Sequence, residues 1–356
     1  LRHEVGQARA ALLIEQAALR TKAAAKFFQA ERLFFTARGL EQATDEQVAR
    51  YKAQRFGDVL SVADLCCGIG GDAMALAQDR PTTLVDRDEV SLVLAAANLE
   101  RMDGLVGCAV ASDVDVQGVA AVSAWHIDPD RRATGKRTSD VAWSDPGPDV
   151  IEALLAAVPN GSIKLAPAAE LPSEWTDRCE CEWIESRGEC RQQVAWFGDL
   201  ASEIGRRVAT IIEPCGDASS FCGDPSVVAE VAEQAGAFLL DPSPSLAAAH
   251  LVGALAETLN LSTLGPRVAY LTADEPIVHP HLSAFAVVAE LPLDVRKLKA
   301  YCRVHDIGQL EIKKRGVDIT PEKLRPQLDL RGDRSATLIL ARLTGGQRAF
   351  VCQRIA

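Results

Sequence analysis

Residues 63–78 read ADLCCGIGGDAMALAQ, and residues 82–90 read TTLVDRDEV. A short apolar run ends on Asp64. Cys66, Cys67, Gly68, Gly70 and Gly71 follow, and then the composition turns helical. A second apolar run ends on Asp86, twenty-two residues after Asp64. Glycines at a strand-to-helix turn let the backbone approach a ligand closely. Gly68-x-Gly70-x-x-Ala73 also satisfies the dinucleotide fingerprint G-x-G-x-x-A, a pattern that occurs in ligand-free turns as well. The acids sharpen it. Asp86 ends the second strand, where a carboxylate can accept both hydroxyls of an adenosine ribose. Asp64 stands where dinucleotide sites usually carry an apolar residue, and an acid there can hold a cationic amino group. A third acid, Asp113, closes the next run in VASDV, where it can meet an adenine amino group.

Outward from this stretch the chain alternates strand and helix. VLSVADL, TTLVDRD, VGCAVASDV, AVSAWHIDPD and GSIKLAPA read as strands; GDAMALAQD, EVSLVLAAANLERM and IEALLAAV read as helices. Such alternation predicts a parallel sheet with helices on both faces, its strands apolar because both faces are buried. Before it, residues 4–35 are rich in Ala, Leu, Gln, Arg and Lys and contain no Pro. Thr44 or Asp45 can cap a further helix running to about Arg55. After residue 178, CECEWIES and CRQQVAWFG predict a hairpin with Gly188 in its turn. RRVATIIE is another strand, and DPSPSLAAAHLVGALAETL predicts one capped helix. LDVRKLKAYCRVHDI, LEIKKRG, PEKLRPQL and a hairpin tipped by Gly345-Gly346 predict a small α+β module at the end.

Composition bounds the class. The chain has 356 residues, 48% of them hydrophobic, which suits more than one packed domain. No apolar run approaches the roughly 18 residues of a membrane span, and LRHEVGQARAALLIEQ lacks the pattern of a signal peptide. The expectation is a cytoplasmic protein with no membrane association, whose ten scattered cysteines form no disulfide framework. Net charge is -11, unevenly spread: residues 1–57 carry ten Lys/Arg against six Asp/Glu, and residues 296–356 carry fourteen against six. A basic head and tail around an acidic centre suit a polyanionic partner gripped by the ends. Cys179, Cys181 and Cys190 lack a fourth ligand at convincing spacing, so no metal is expected.

With the acid and glycine turn D-L-C-C-G-I-G-G-D followed by acids at the next two strand ends, residues 59–170 resemble a class I S-adenosylmethionine-dependent methyltransferase. The expected fold class is α/β: a Rossmann-like methyltransferase sheet with a helical N-terminal cap (1–57) on the methyltransferase domain (58–290), and a small α+β module (291–356). The resemblance implies S-adenosyl-L-methionine as cofactor. Asp64, Cys66, Gly68 and Gly70 would line its methionine end, Asp86 would take the ribose and Asp113 the adenine. Cys66 replaces the usual first glycine. Gln42 and Thr44, before the first strand, would close over the cofactor. At the fourth strand end this family carries its catalytic motif, often Asn/Asp-Pro-Pro-aromatic in enzymes that methylate nitrogens of nucleic acids. Here Asp128-Pro129-Asp130-Arg131 occupies that place, with no aromatic after the proline. Asp128 would accept a hydrogen bond or proton from the target N–H, Pro129 would stiffen the turn, and Arg131 would hold an anion. Lys164 and Glu174-Trp175 follow the fifth strand, on either the substrate side or the surface. The C-terminal segment resembles the THUMP-like module that some bacterial methyltransferases carry, in LEIKKRG (310–316) and LRGD (330–333), and FFTARGLEQAT (34–44) matches the same family. Because true THUMP domains bind tRNA, the resemblance implies an RNA substrate, tRNA or rRNA, methylated on a base nitrogen. Alternatives open at this point are a small-molecule or protein acceptor, a non-catalytic RNA-binding protein, and an NAD-linked oxidoreductase. The last is favoured by G-x-G-x-x-A and opposed by Asp64 and DPDRR.

Overall fold

The computed structural model describes residues 6–130, 144–265, 268–343 and 345–355. The backbone divides into two compact units, 1–218 and 219–356. In the first, α1 (Gln7–Ala23), α2 (Ala37–Gln42) and α3 (Glu46–Gln54) precede the sheet. Thr36 caps α2 by accepting the Gly39 N–H, and Asp45 caps α3 by accepting the Val48 N–H. The N-terminal helices pack onto the sheet's core. Leu19, Ala23, Phe27, Leu33 and Phe35 share one buried cluster with Ile69, Met74, Leu84 and Leu99.

The sheet then runs β1 (Val62–Leu65), α4 (Ala73–Leu76), β2 (Thr82–Asp86), α5 (Glu89–Arg101), β3 (Val106–Ala111), β4 (Ala124–Ile127), α6 (Pro148–Ala157) and β5 (Gly161–Leu165). After α7 (Ser173–Thr176) come β6 (Cys179–Ser186), β7 (Glu189–Phe197), β8 (Arg207–Ile212) and β9 (Ala218–Gly223). The order across the sheet is β3-β2-β1-β4-β5-β7-β6-β8-β9. The first five are parallel, while β7 runs antiparallel to both β5 and β6. This is the expected Rossmann-like methyltransferase sheet. Strand order reverses at β1, whose neighbours β2 and β4 lead away on opposite sides. In open α/β sheets ligands bind at such a switch point, beyond the carboxyl ends of the strands. One expectation fails here. The strands are not all buried on both faces, because β3, the edge of the parallel half, is exposed along its whole length.

The second unit holds β10 (Phe238–Pro242), α8 (Pro244–Ala248), α9 (Val252–Thr258), β11 (Ser262–Thr263), β12 (Leu271–Ala273) and β13 (Leu282–Pro292). Then come α10 (Val295–Val304), β14 (Ile307–Arg315), α11 (Pro321–Leu324), β15 (Arg334–Leu343) and β16 (Gly346–Arg354). Its sheet order is β11-β12-β10-β13-β16-β15-β14. β10 pairs with β12 and β13, and β13 pairs with β16, so the chain from β10 onward belongs to the C-terminal sheet. Leu239 and Phe285 accordingly share a core with Ile339 and Phe350. The single helix expected after Ser243 is two helices, broken where His250 adopts a positive φ of 59°. The final hairpin forms as expected between β15 and β16.

Candidate functional site

A cavity of about 950 Å³ lies over the carboxyl ends of the parallel strands in the first unit. Asp64, Cys66, Gly68, Asp86, Asp113, Asp128, Pro129, Asp130, Gln42 and Thr44 all line it. Gly70 lies beneath this wall, where a Cβ would press on Ala95 and Leu99 of α5 at 3.2–3.3 Å. Gly68 has φ +53° and a Cβ there would meet nothing, so open space stands directly above the turn. Cys66 shares the left-handed conformation at φ 57°. That backbone demand explains why glycine suits this position. Burial, and then the charge of Asp86, pushes the Cys66 thiol well above its usual range, so it stays protonated.

The three acids differ in environment. Asp64 is buried, and its Oδ2 has no hydrogen-bond partner among the described residues. Burial, reinforced by the charge of Asp72, pushes its carboxyl well above the usual range. Asp86 Oδ2 accepts the Gly68 N–H at 2.8 Å and Oδ1 accepts the Asp88 N–H at 2.9 Å, which fixes the carboxylate in one orientation. Asp113 is exposed, two residues beyond β3.

At the end of β4, the Asp128 N–H donates to the Leu65 carbonyl at 3.2 Å, tying the turn to β1. Asp128 Oδ2 accepts from Lys164 Nζ at 2.7 Å. Asp130 is engaged differently. Its carboxylate sits 2.9 Å from Arg38 and 3.7 Å from Arg87, and its backbone bridges that of Asp145 in both directions. Arg87 also pairs with Asp145. Asp130 is therefore part of a clamp on the cavity mouth. Arg131 falls outside the described residues. Gln42 Oε1 accepts from Arg38 at 3.3 Å, and the Thr44 hydroxyl donates to Asp72 Oδ2 at 2.6 Å. Of the two later candidates, Lys164 lines the cavity, whereas Trp175 is buried edge-on against Phe197, away from the cavity lining.

Behind the glycine turn lies a charged hub that the sequence reading missed. Lys52 Nζ is 2.6 Å from Asp72 Oδ1, and His126 Nε2 is 3.4 Å from Asp72 Oδ2. His126 Nδ1 meets Ser162 Oγ at 2.7 Å. Burial alone would raise the Asp72 carboxyl, but Lys52 and His126 outweigh it and hold it well below the usual range. Burial lowers Lys52 despite the attraction of Asp72, and burial and the charge of Lys52 lower His126. One signal was available: Lys52 interrupts the buried stripe of Val48, Ala49 and Ala53 on α3. Arg187, Arg191 and Gln192 also line the cavity, from the β6–β7 hairpin.

Cys179 and Cys181 place their Sγ atoms 3.6 Å apart on β6. Among the described residues no group of three or more His, Cys, Asp or Glu is arranged to hold a metal ion. Nor is any helix among them long and apolar enough to cross a membrane.

An uncharacterized S-adenosylmethionine-dependent methyltransferase of Mycobacterium tuberculosis (strain CDC 1551 / Oshkosh) is 31% identical to this chain over 360 residues, covering 97% of each. The chain belongs to the S-adenosylmethionine-dependent methyltransferases. The counterpart from strain H37Rv matches the methyltransferase equally, at 31% identity over 97% of each chain. Residues 282–354 match the family described as THUMP domain-like. The fold is similar to the crystal structure of a candidate methyltransferase from Porphyromonas gingivalis W83, with a TM-score of 0.81 at 19% identity, over 96% of this chain and 89% of that one. Membership sets aside the nicotinamide alternative. The methyltransferase uses S-adenosylmethionine, which supplies an electrophilic methyl group when bound.

Proposed function

We propose that this methyltransferase modifies a base nitrogen of RNA, tRNA or rRNA, with Asp128 as the group that meets the target N–H. The observation that carries the reading is the Asp128 carboxylate. It stands in the cavity beside the glycine turn, with Oδ2 held by Lys164 and Oδ1 accepting no hydrogen bond from the described residues. Oδ1 would accept a hydrogen bond from the nitrogen, leave its lone pair free for the in-line displacement, and take the proton as the C–N bond forms and the methyl–sulfur bond of the sulfonium breaks. Pro129 restricts the turn that presents it. On the cofactor side, the orphaned Oδ2 of Asp64 suits an ammonium group. Asp86 would accept ribose hydroxyls on the lone pairs its two backbone donors leave open, and Asp113 would accept from the adenine amino group. The space above Gly68 and the cavity volume fit such a molecule.

The RNA part of the reading is supported by the THUMP-like match and by the basic C-terminal segment. Part of that basic charge is neutralised within the second unit: Lys313 and Arg315 pair with Asp241, and Arg348 with Glu290. A second reading, a polar small-molecule or protein acceptor, is favoured by one observation. Among the described residues no Phe, Tyr or Trp lines the cavity, so a flipped base would stack on guanidinium planes such as Arg38 and Arg87. The test is transfer of labelled methyl from S-adenosylmethionine to total RNA from a strain lacking the gene. Label entering that RNA and not wild-type RNA supports the first reading. Label entering only the protein or small-molecule fraction supports the second.

A further inference from the structure

Helix α2 is six residues long, and a helix this short leaves its last carbonyl groups without intrahelical donors. The Gly39 carbonyl accepts the Ala43 N–H at 2.8 Å, and the next four carbonyls are met by ammonium groups from elsewhere in the chain. Lys26 Nζ donates to the carbonyls of Leu40, Glu41 and Ala43 at 2.7, 3.0 and 2.9 Å. Lys164 Nζ donates to the intervening Gln42 carbonyl at 3.3 Å. Four successive carbonyls are thus held by two lysines, and three of them, those of Glu41, Gln42 and Ala43, belong to residues that line the cavity. The ammonium groups repel each other, and burial together with the charge of Lys164 lowers the Lys26 pKa to about 8. The arrangement is favoured by the negative end of the helix, which attracts both. Lys164 does a second thing from the same nitrogen: it sits 2.7 Å from Asp128 Oδ2. It is buried at the end of β5, a rigid element.

We propose that Lys164 is the positioning residue of the methyl-transfer site. It fixes the Asp128 carboxylate and the 40–43 wall of the cofactor cavity together, so that closing the wall and aligning the carboxylate are one event. Lys26 holds the rest of the wall. The inference rests on the assignment of Asp128 in the proposed function.

The test uses the full chain with Lys164→Met, Lys26→Met, Asp128→Asn and the Asp128→Asn/Lys164→Met pair. Hydrogen exchange of the 37–45 segment is measured with and without S-adenosylhomocysteine, alongside single-turnover label transfer to the RNA described above. Both lysine variants should speed exchange of the 40–44 amides about tenfold or more, as the loss of hydrogen bonds to charged groups predicts. Lys164→Met should also slow methyl transfer about 100-fold, the scale of a displaced acid–base group. In the Asp128→Asn background it should cost no further turnover, yet still loosen the segment. A lysine that only stabilises the fold would give additive losses instead. Unchanged exchange in Lys164→Met, or additive losses in the double variant, overturns the proposal. If the wild-type enzyme labels no RNA, the RNA reading falls, and the same variants are scored for non-additivity on label transfer to the acceptor fraction that the wild type does label.

Discussion

Replacing Asp64 by Asn separates two properties that usually move together. The carboxylate is buried, one of its oxygens has no partner among the described residues, and burial pushes its pKa well above the usual range. Without cofactor the ionised form is therefore disfavoured, and the ammonium of a bound S-adenosyl ligand is what makes it favourable. A hydrogen bond to a charged group contributes about 1.5–3 kcal/mol, so the variant should bind S-adenosylhomocysteine about 10- to 150-fold more weakly. Titration calorimetry measures this directly. Methylthioadenosine, which keeps the nucleoside and lacks the amino-acid end, should bind both proteins alike. Stability should move the other way. A carboxyl whose folded pKa is raised contributes stability that is fully present below its unfolded pKa and lost as pH rises through the folded value. Unliganded Asp64→Asn should therefore match the wild type near pH 4 and gain on it toward neutral pH, as thermal unfolding across that range will report. Equal weakening of both ligands, or undiminished binding of S-adenosylhomocysteine, would refute the reasoning.

Asp128→Ala should slow methyl transfer about 10²- to 10⁴-fold while S-adenosylhomocysteine still binds; label transfer and calorimetry check the two halves. Lys52→Met leaves Asp72 buried without its ammonium, and breaking such a pair costs about 3–5 kcal/mol, measurable by urea unfolding. A loss under about 1 kcal/mol would mean the hub is hydrated or rearranges. Cys66, its thiol held protonated by burial and by Asp86, should react with iodoacetamide at pH 8 far more slowly than the exposed Cys108 and Cys215. Peptide mapping of the alkylated protein distinguishes them.

The parallel half of the sheet and the cavity lining were legible because they rest on local signals. Apolar runs ending in acids mark the strand ends at Asp64, Asp86 and Asp128, and the glycines mark the turn between them. Strand β3 shows the limit of that signal: VGCAVA reads as a doubly buried strand, yet it is an exposed edge, because covering elements are a property of the tertiary fold. The second sheet was half hidden for a related reason. β10 and β12 are five and three residues long and become strands by pairing, β12 with β10 and β10 with β13. The hub was invisible because its members are far apart in sequence. Lys52 alone looks like a solvated helix lysine, and Asp72 like a helix-start acid. Only the fold brings them within 2.6 Å. Lys164 was noticed at the right strand end, but nothing local reveals that one nitrogen serves both Asp128 and the Gln42 carbonyl.

The hub also has a bearing on how the protein is made. Lys52 reaches its partners Asp72 and His126, and His126 in turn rests on Ser162, some 110 residues downstream of Lys52. A ribosome adding about 5–20 residues per second takes roughly 5–20 s to cover that distance. Asp72 follows Lys52 by only twenty residues, so the partner that holds the lysine at 2.6 Å is synthesised well before Ser162. The hub is complete only once β4 and β5 supply His126 and Ser162.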